Sequence, residues 1–335
     1  MESHSPPGRT AVYREGDPVA PPGYRLLTQK RVLGSVVSAT WATPEGDALH
    51  WTSRGQRKGG APVRSAPAAV TPPEAPRRRP PVFGVAPRSL AWWIAVVFTV
   101  GSLFFVAGAL GAVTGPTRWW PNLLYFAGSL LFTAGAGLQL AEAMRAGRDV
   151  VRAPSAPRPR LRHWFLLPGR LDWNATVIQF TGTVLFNVNC FYGMYMSLTH
   201  RQEDVRVWVP STIASICFVS ASHLAFVEAE GAWLAWRPRE LEWWITVGSL
   251  LGSLGFLGSS VAGFFLGGDL SAAVTGLLGP HGETLWLEYA VDGVLLAGSL
   301  WLLVGTYLMI PEALVARREA GAPREPARTQ PSSLA

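Results

Sequence analysis

The chain has 335 residues, a formal net charge of +7, 49% hydrophobic residues and only two cysteines. So few cysteines exclude a disulfide-stapled secreted module, and the mean hydropathy of +0.20 averages over a sharp division. Residues 1–88 and 313–335 are polar and rich in Pro, Arg, Gly and Ala, whereas the stretch between them is strongly apolar, which points to repeated membrane crossing.

Residues 1–89 form an N-terminal tail. Its first 30 residues contain no apolar core of signal-peptide length, so the N-terminus is expected to stay in the cytoplasm. Residues 1–23 and 53–89 have linker composition and are expected to be disordered. Between them, Arg31–Trp41, the turn signal Thr43-Pro44-Glu45-Gly46-Asp47 and Ala48–Trp51 predict a short β-hairpin within 31–51. A lone hairpin is marginal in water, so it either docks on the cytoplasmic face or is ordered by a partner.

Six apolar segments follow, at about 90–112, 120–143, 173–198, 207–229, 241–266 and 285–310, each near the roughly 20 residues a bilayer crossing takes. They fall into three hairpins, 90–143, 173–229 and 241–313, within a membrane domain 90–313, with a disordered tail at 314–335. The first helix of each hairpin reads W-x8-G-[ST]-[LV]-x-F, from Trp92, Trp173 and Trp243. The second reads [GA]-S-[LI]-x-[FL]-x5-L-x3-E-A, from Gly128, Ala214 and Gly298 to Glu142, Glu228 and Glu312. Ungapped spacing in three copies marks a repeated unit. The expected fold is an all-α membrane bundle of six helices, built as three parallel hairpins with pseudo-threefold symmetry.

Lipid supplies no hydrophobic force between helices, so small residues must let backbones touch. Gly101, Gly182 and Gly252, with Gly128, Ala214 and Gly298, are therefore the expected crossing points. Of 29 Lys and Arg, 26 lie on one side of this arrangement, and the positive-inside rule places both termini in the cytoplasm. The basic clusters, such as Arg77–Arg79 and Arg158–Arg162, are expected against anionic headgroups, with no nucleic-acid partner. Trp92, Trp173 and Trp243 are expected as an inner interfacial belt. Cys190 and Cys217 read as unpaired packing residues. The excess of Arg over Lys suggests a bacterial source and hence a bacterial inner membrane.

The helix pair with its W…GS first helix and GS…L…E second helix resembles the YrhK-like family of two-helix membrane modules, three of which cover most of residues 92–313. The second copy departs by using Gly182-Thr183 and Ala214-Ser215. The resemblance implies a membrane module of unknown activity and carries over no catalytic residue.

Polar residues within the apolar segments are the remaining signal. Glu142, Glu228 and Glu312 occupy helix C-termini, where a carboxylate opposes the helix dipole and needs a partner. Two readings follow: capping or pairing with nearby arginines such as Arg145, Arg148, Arg237, Arg239, Arg317 and Arg318, or a three-carboxylate ring gating a cation or proton path. Deeper in the membrane, Asn187, Asn189, His223, Glu288 and Asp292 form a candidate polar site. It is either a route across the bundle or a set of interhelical hydrogen bonds worth about 1 kcal/mol each.

No HExxH, Walker A, GxSxG or CxxC motif occurs, and no catalytic residue, metal site or cofactor is expected. The leading expectation is a non-enzymatic structural or interaction protein whose tail engages a protein partner, with homo-oligomerisation through the Gly-rich fifth helix open. The alternative is a small-solute or ion transporter or channel, its path lined by the third, fourth and sixth helices.

Overall fold

The computed structural model of the chain describes residues 17–20, 22–60, 62–65, 84–114, 119–146, 169–195, 197–266 and 283–321. The N-terminal part is a four-stranded antiparallel sheet in the order β1-β2-β3-β4, with β1 Arg25–Val32, β2 Ser35–Ala42, β3 Ala48–Thr52 and β4 Val63–Ser65. The hairpin expected within 31–51 is β2–β3, paired from Ser38↔Thr52 to Ala42↔Ala48. Strands on both sides extend it. The β1–β2 turn places Leu33 at φ 49° and Gly34 at φ 80°, the positive dihedrals that a two-residue hairpin connection requires.

β2 is buried on both faces. Val36, Trp41, Leu49 and Trp51 form a small core of the sheet, and Val37 on the opposite face packs against Leu171 and Val227 of the helical part. The Leu171 backbone N–H donates to Ser35 Oγ at 3.1 Å. Docking therefore supplies the second apolar layer that an isolated hairpin lacks. Residues 53–65, expected as linker, instead carry a single helical turn, α1 Ser53–Arg57, and strand β4. Thr52 Oγ1 caps that turn by accepting from the Gly55 N–H at 3.2 Å.

Six long helices follow: α2 Leu90–Thr114, α3 Trp120–Arg145, α4 Leu171–Gly193, α6 Val209–Glu230, α7 Leu241–Leu266 and α8 Glu283–Gly321. A short α5 His200–Glu203 and a π-helical turn Asp204–Trp208 lead into α6. Contacts run α2–α3–α4–α6–α7–α8 and back to α2, closing a ring. The chain is mostly helical, and five described helical spans are long and apolar enough to cross a membrane: 90–114, 120–145, 201–230, 241–264 and 289–316. It is a multi-pass membrane protein. The expected third span is present as helix α4 but is not among those five; Asp172, Asn174, Gln179, Asn187 and Asn189 lower its hydropathy.

The repeated dipeptides have a simple physical reading. Ser102, Ser129, Thr183, Ser215, Ser253 and Ser299 are buried, while the residue after each, Leu103, Leu130, Val184, Ile216, Leu254 and Leu300, is 44–51% exposed. Consecutive helical positions lie about 100° apart, so each pair turns a hydroxyl inward and an aliphatic group toward lipid.

Close packing sits beside those hydroxyls. A Cβ on Gly101 would stand 3.3 Å from the Gly128 carbonyl oxygen, one on Gly182 3.1 Å from that of Ala214, and one on Gly298 3.0 Å from that of Gly252. The two tryptophans expected in an interfacial belt at the second and third hairpins are instead protein-buried, Trp173 at 2% and Trp243 at 5% exposure. Trp92 and Trp243 each bond a carbonyl eight residues upstream, Gly84 and Ala235, and so fix the chain's entry into α2 and α7.

Candidate functional site

α1 projects into the sheet-bearing end of the helical ring and meets α3, α4 and α6 there. Its polar side chains engage the three repeat-equivalent carboxylates. Arg57 donates from Nη1 to Glu142 Oε2 at 3.3 Å and from Nη2 to Glu228 Oε2 at 3.1 Å. Arg54 donates from Nη2 to Glu312 Oε1 at 2.9 Å, Lys58 pairs with the other oxygen of Glu312, and Ser53 Oγ donates to Glu228 Oε1 at 2.9 Å. Arg54, Arg57 and their partners Glu142, Glu228 and Glu312 have side chains no more than 9% exposed. Glu242 lies 3.9 Å from Arg54 at the outer edge.

Three cations thus face three buried carboxylates, and neither set fits a low-dielectric site without the other. Burial opposes the charge on Arg54 and Arg57, but the carboxylates around them outweigh it and raise both guanidinium pKa values. Lys58 goes the other way: burial, reinforced by Arg54, lowers it despite Glu312.

Beyond α1 lies a cavity of about 110 Å³ inside the ring, room for several waters. Its walls carry hydroxyls from α4, α6, α7 and α8, together with Gln139 and Gln179. Phe105, Phe186 and Phe256, the last residues of the three first-helix motifs, also line it. They touch one another edge-on, with centroids 5.8, 5.5 and 5.6 Å apart. Two hydroxyl pairs bridge neighbouring hairpins at equivalent positions, Ser102–Thr306 and Ser222–Ser253, both at 3.0 Å.

The residues singled out in the sequence divide accordingly. Glu142, Glu228 and Glu312 come together at the mouth. Among the described side chains their partners are Arg54, Arg57 and Lys58, while Arg237 pairs with Glu230 and Glu240; the side chains of Arg148, Arg317 and Arg318 lie outside the described residues. Among the described side chains, Asn187, Asn189, His223 and Asp292 are not on the cavity wall. Asn187 donates to Thr133 Oγ1 at 2.8 Å, an α3–α4 bond. His223 stacks on Phe226 and tilts against Trp233. Asn189 is half-buried on α4, and Asp292 is half-buried on α8; the side chain of Glu288 lies outside the described residues.

Arg54, Arg57 and Lys58 escaped the sequence reading because Ser-Arg-Gly-Gln-Arg-Lys reads as linker. The available signal was three carboxylates needing partners and, just after a strand, three cations spaced i, i+3, i+4 on one helical face. Comparison with family models, curated proteins and solved structures finds no match to this chain.

Proposed function

We propose that this is a non-enzymatic membrane protein that handles a small solute or ion in the compartment enclosed by its helices. The observation that carries the reading is the cavity, its wall mixing hydroxyls and amides with apolar side chains, bounded at the sheet-bearing end by the α1 cations and bordered inside the ring by the Phe105–Phe186–Phe256 cluster. In this reading all six long helices cross the bilayer as three YrhK-like hairpins with pseudo-threefold symmetry. The equivalent glycine contacts, hydroxyl bridges and phenylalanines support it. The charge distribution supports a cytoplasmic sheet with anionic headgroups around it, in a bacterial inner membrane.

A structural or interaction role for the tail is the second reading, favoured by the sheet as a folded unit on the membrane domain. The apolar contacts that order β2, however, come from the chain's own helices, so an external partner is not needed to fold it.

Thiol labelling tests the choice. In a chain with Cys190 and Cys217 replaced by Ala, Ser249→Cys in the cavity should react with a small impermeant reagent once Arg54, Arg57 and Lys58 are changed to Gln. Asn187→Cys, outside the cavity, should stay protected. An unreactive Ser249→Cys in that background removes the compartment reading and leaves the structural one.

A further inference from the structure

The chemistry of the compartment narrows what it accepts, on the premise that it is a solute compartment. Four hydroxyls on its wall that bridge to no other side chain spend their single hydrogen on a carbonyl of their own helix. Thr176 donates to Asp172 O, Thr183 to Phe180 O, Thr246 to Glu242 O and Ser249 to Ile245 O, at 2.8–3.1 Å. A hydroxyl that has donated has only lone pairs left. These hydroxyls therefore present acceptors on a wall that also carries many apolar side chains, and Gln139 Oε1 lines it buried and without a hydrogen-bond partner. Glu142, Glu228 and Glu312 supply negative charge at the mouth.

The groups already seated there are cations, held on a one-turn helix at the end of a sheet rather than on the ring itself. Their fit is incomplete, because the Arg57 Nε–H is buried with no acceptor. The spacing also matters. Arg57 spans Glu142 and Glu228 while Arg54 and Lys58 take Glu312. Among the described residues no three acidic, His or Cys groups converge as a metal set. The mouth thus matches separated positive charges on one flexible chain better than a compact divalent ion, which needs several oxygens at one point.

We propose that the mouth and cavity are a site for an extended organic cation with two or more separated ammonium or guanidinium groups, and that Arg54, Arg57 and Lys58 are its tethered, autoinhibitory occupants. A free polycation must displace α1 to enter. With α1 withdrawn, the three carboxylates and these hydroxyl acceptors become its seat.

Spermidine is the probe, applied to the full chain in lipid nanodiscs. In the unmodified protein, hydrogen exchange across residues 53–60 should accelerate with spermidine and stay unchanged in sodium chloride of matched ionic strength. Equal acceleration by both salts, or none by spermidine, overturns the proposal. In the Arg54→Gln, Arg57→Gln, Lys58→Gln chain, spermidine should bind at least tenfold more tightly than to the unmodified one. Adding Glu142→Gln, Glu228→Gln and Glu312→Gln should abolish that binding. No gain, or binding that survives loss of the carboxylates, overturns it as well. Should the neutralised chain fail to fold, the exchange measurement on the unmodified chain decides alone. A reactive Ser249→Cys together with a spermidine-insensitive α1 sinks this inference while leaving the compartment; an unreactive Ser249→Cys in the neutralised chain removes both.

Discussion

Arg57 is the hinge of the site at the scale of single residues, because one guanidinium serves carboxylates from two hairpins and has almost no solvent to fall back on. Breaking a buried pair by removing one partner strands the other charge, at about 3–5 kcal/mol. Glu228→Gln should therefore loosen α1 by that order, read as faster hydrogen exchange across residues 53–60 and a lower unfolding temperature. Glu240→Gln is the control. It removes a 3.7 Å pair with Arg237 in which both side chains are 49% exposed, and such pairs are worth about 0–1 kcal/mol. Lys58 gives a pH dependence whose sign follows from its lowered pKa. Released into water it returns toward the ordinary lysine value of 10.5, so between the lowered value and 10.5 the undocked state holds more protons than the docked one. Docking then strengthens as pH rises through that window. Thermal unfolding of the wild type should gain on Lys58→Met as pH rises toward 10.5; a constant difference between the two proteins rules the effect out.

At the scale of elements, the seam between α7 and α8 is where backbones come closest. A Cβ on Gly255 would lie 2.5 Å from Gly298 Cα, and one on Gly305 would lie 2.8 Å from the Ser249 nitrogen. Neither neighbour is a side chain that can rotate away, so Gly298→Val should force the helices apart and cost about 1–3 kcal/mol or more. Gly293, on the same helix with nothing within 4 Å of its missing Cβ, should accept Ala with unchanged or slightly raised stability, because Ala favours the helix by about 1 kcal/mol. Detergent-solubilised melting curves separate the two, and equal behaviour of both variants would remove the seam's special status. This contact was legible in the sequence, since small residues at fixed spacing are the physical requirement for helix association in lipid. The Glu142, Glu228 and Glu312 positions were legible for the same reason of spacing. Their partners were not: the pairs to Arg57 and Arg54 close over sequence separations of 85, 171 and 258 residues, and a single turn has no helical periodicity to detect. The partners of the deep polar residues were not legible either: the Asn187 amide donates to Thr133 Oγ1 on the neighbouring helix, a bond that composition does not distinguish from a water-lined path.

Across the whole molecule, the proposed compartment implies two closures in series, one at the sheet-bearing mouth and one at the phenylalanine cluster. The first is electrostatic: α1 fills the mouth with charges that match the ring. The second is steric, made by three side chains that reach the same point from α2, α4 and α7 and contact each other at 5.5–5.8 Å. They differ in what opens them, since an ion-paired stopper yields to competition for its carboxylates whereas a packed aromatic cluster yields only when its helices move or its rings are removed. If the proposed compartment conducts, two barriers in series make flux depend on both. In liposomes, neutralising Arg54, Arg57 and Lys58 should admit water-soluble reagents to the cavity without producing a leak. Phe105→Ala, Phe186→Ala and Phe256→Ala together should leave permeability near background while α1 still blocks the mouth. The combined variant should pass small cations well above either parent. A leak in the neutralised chain alone would mean that the phenylalanines do not seal, and equal permeability of all variants would mean that the cavity ends blind.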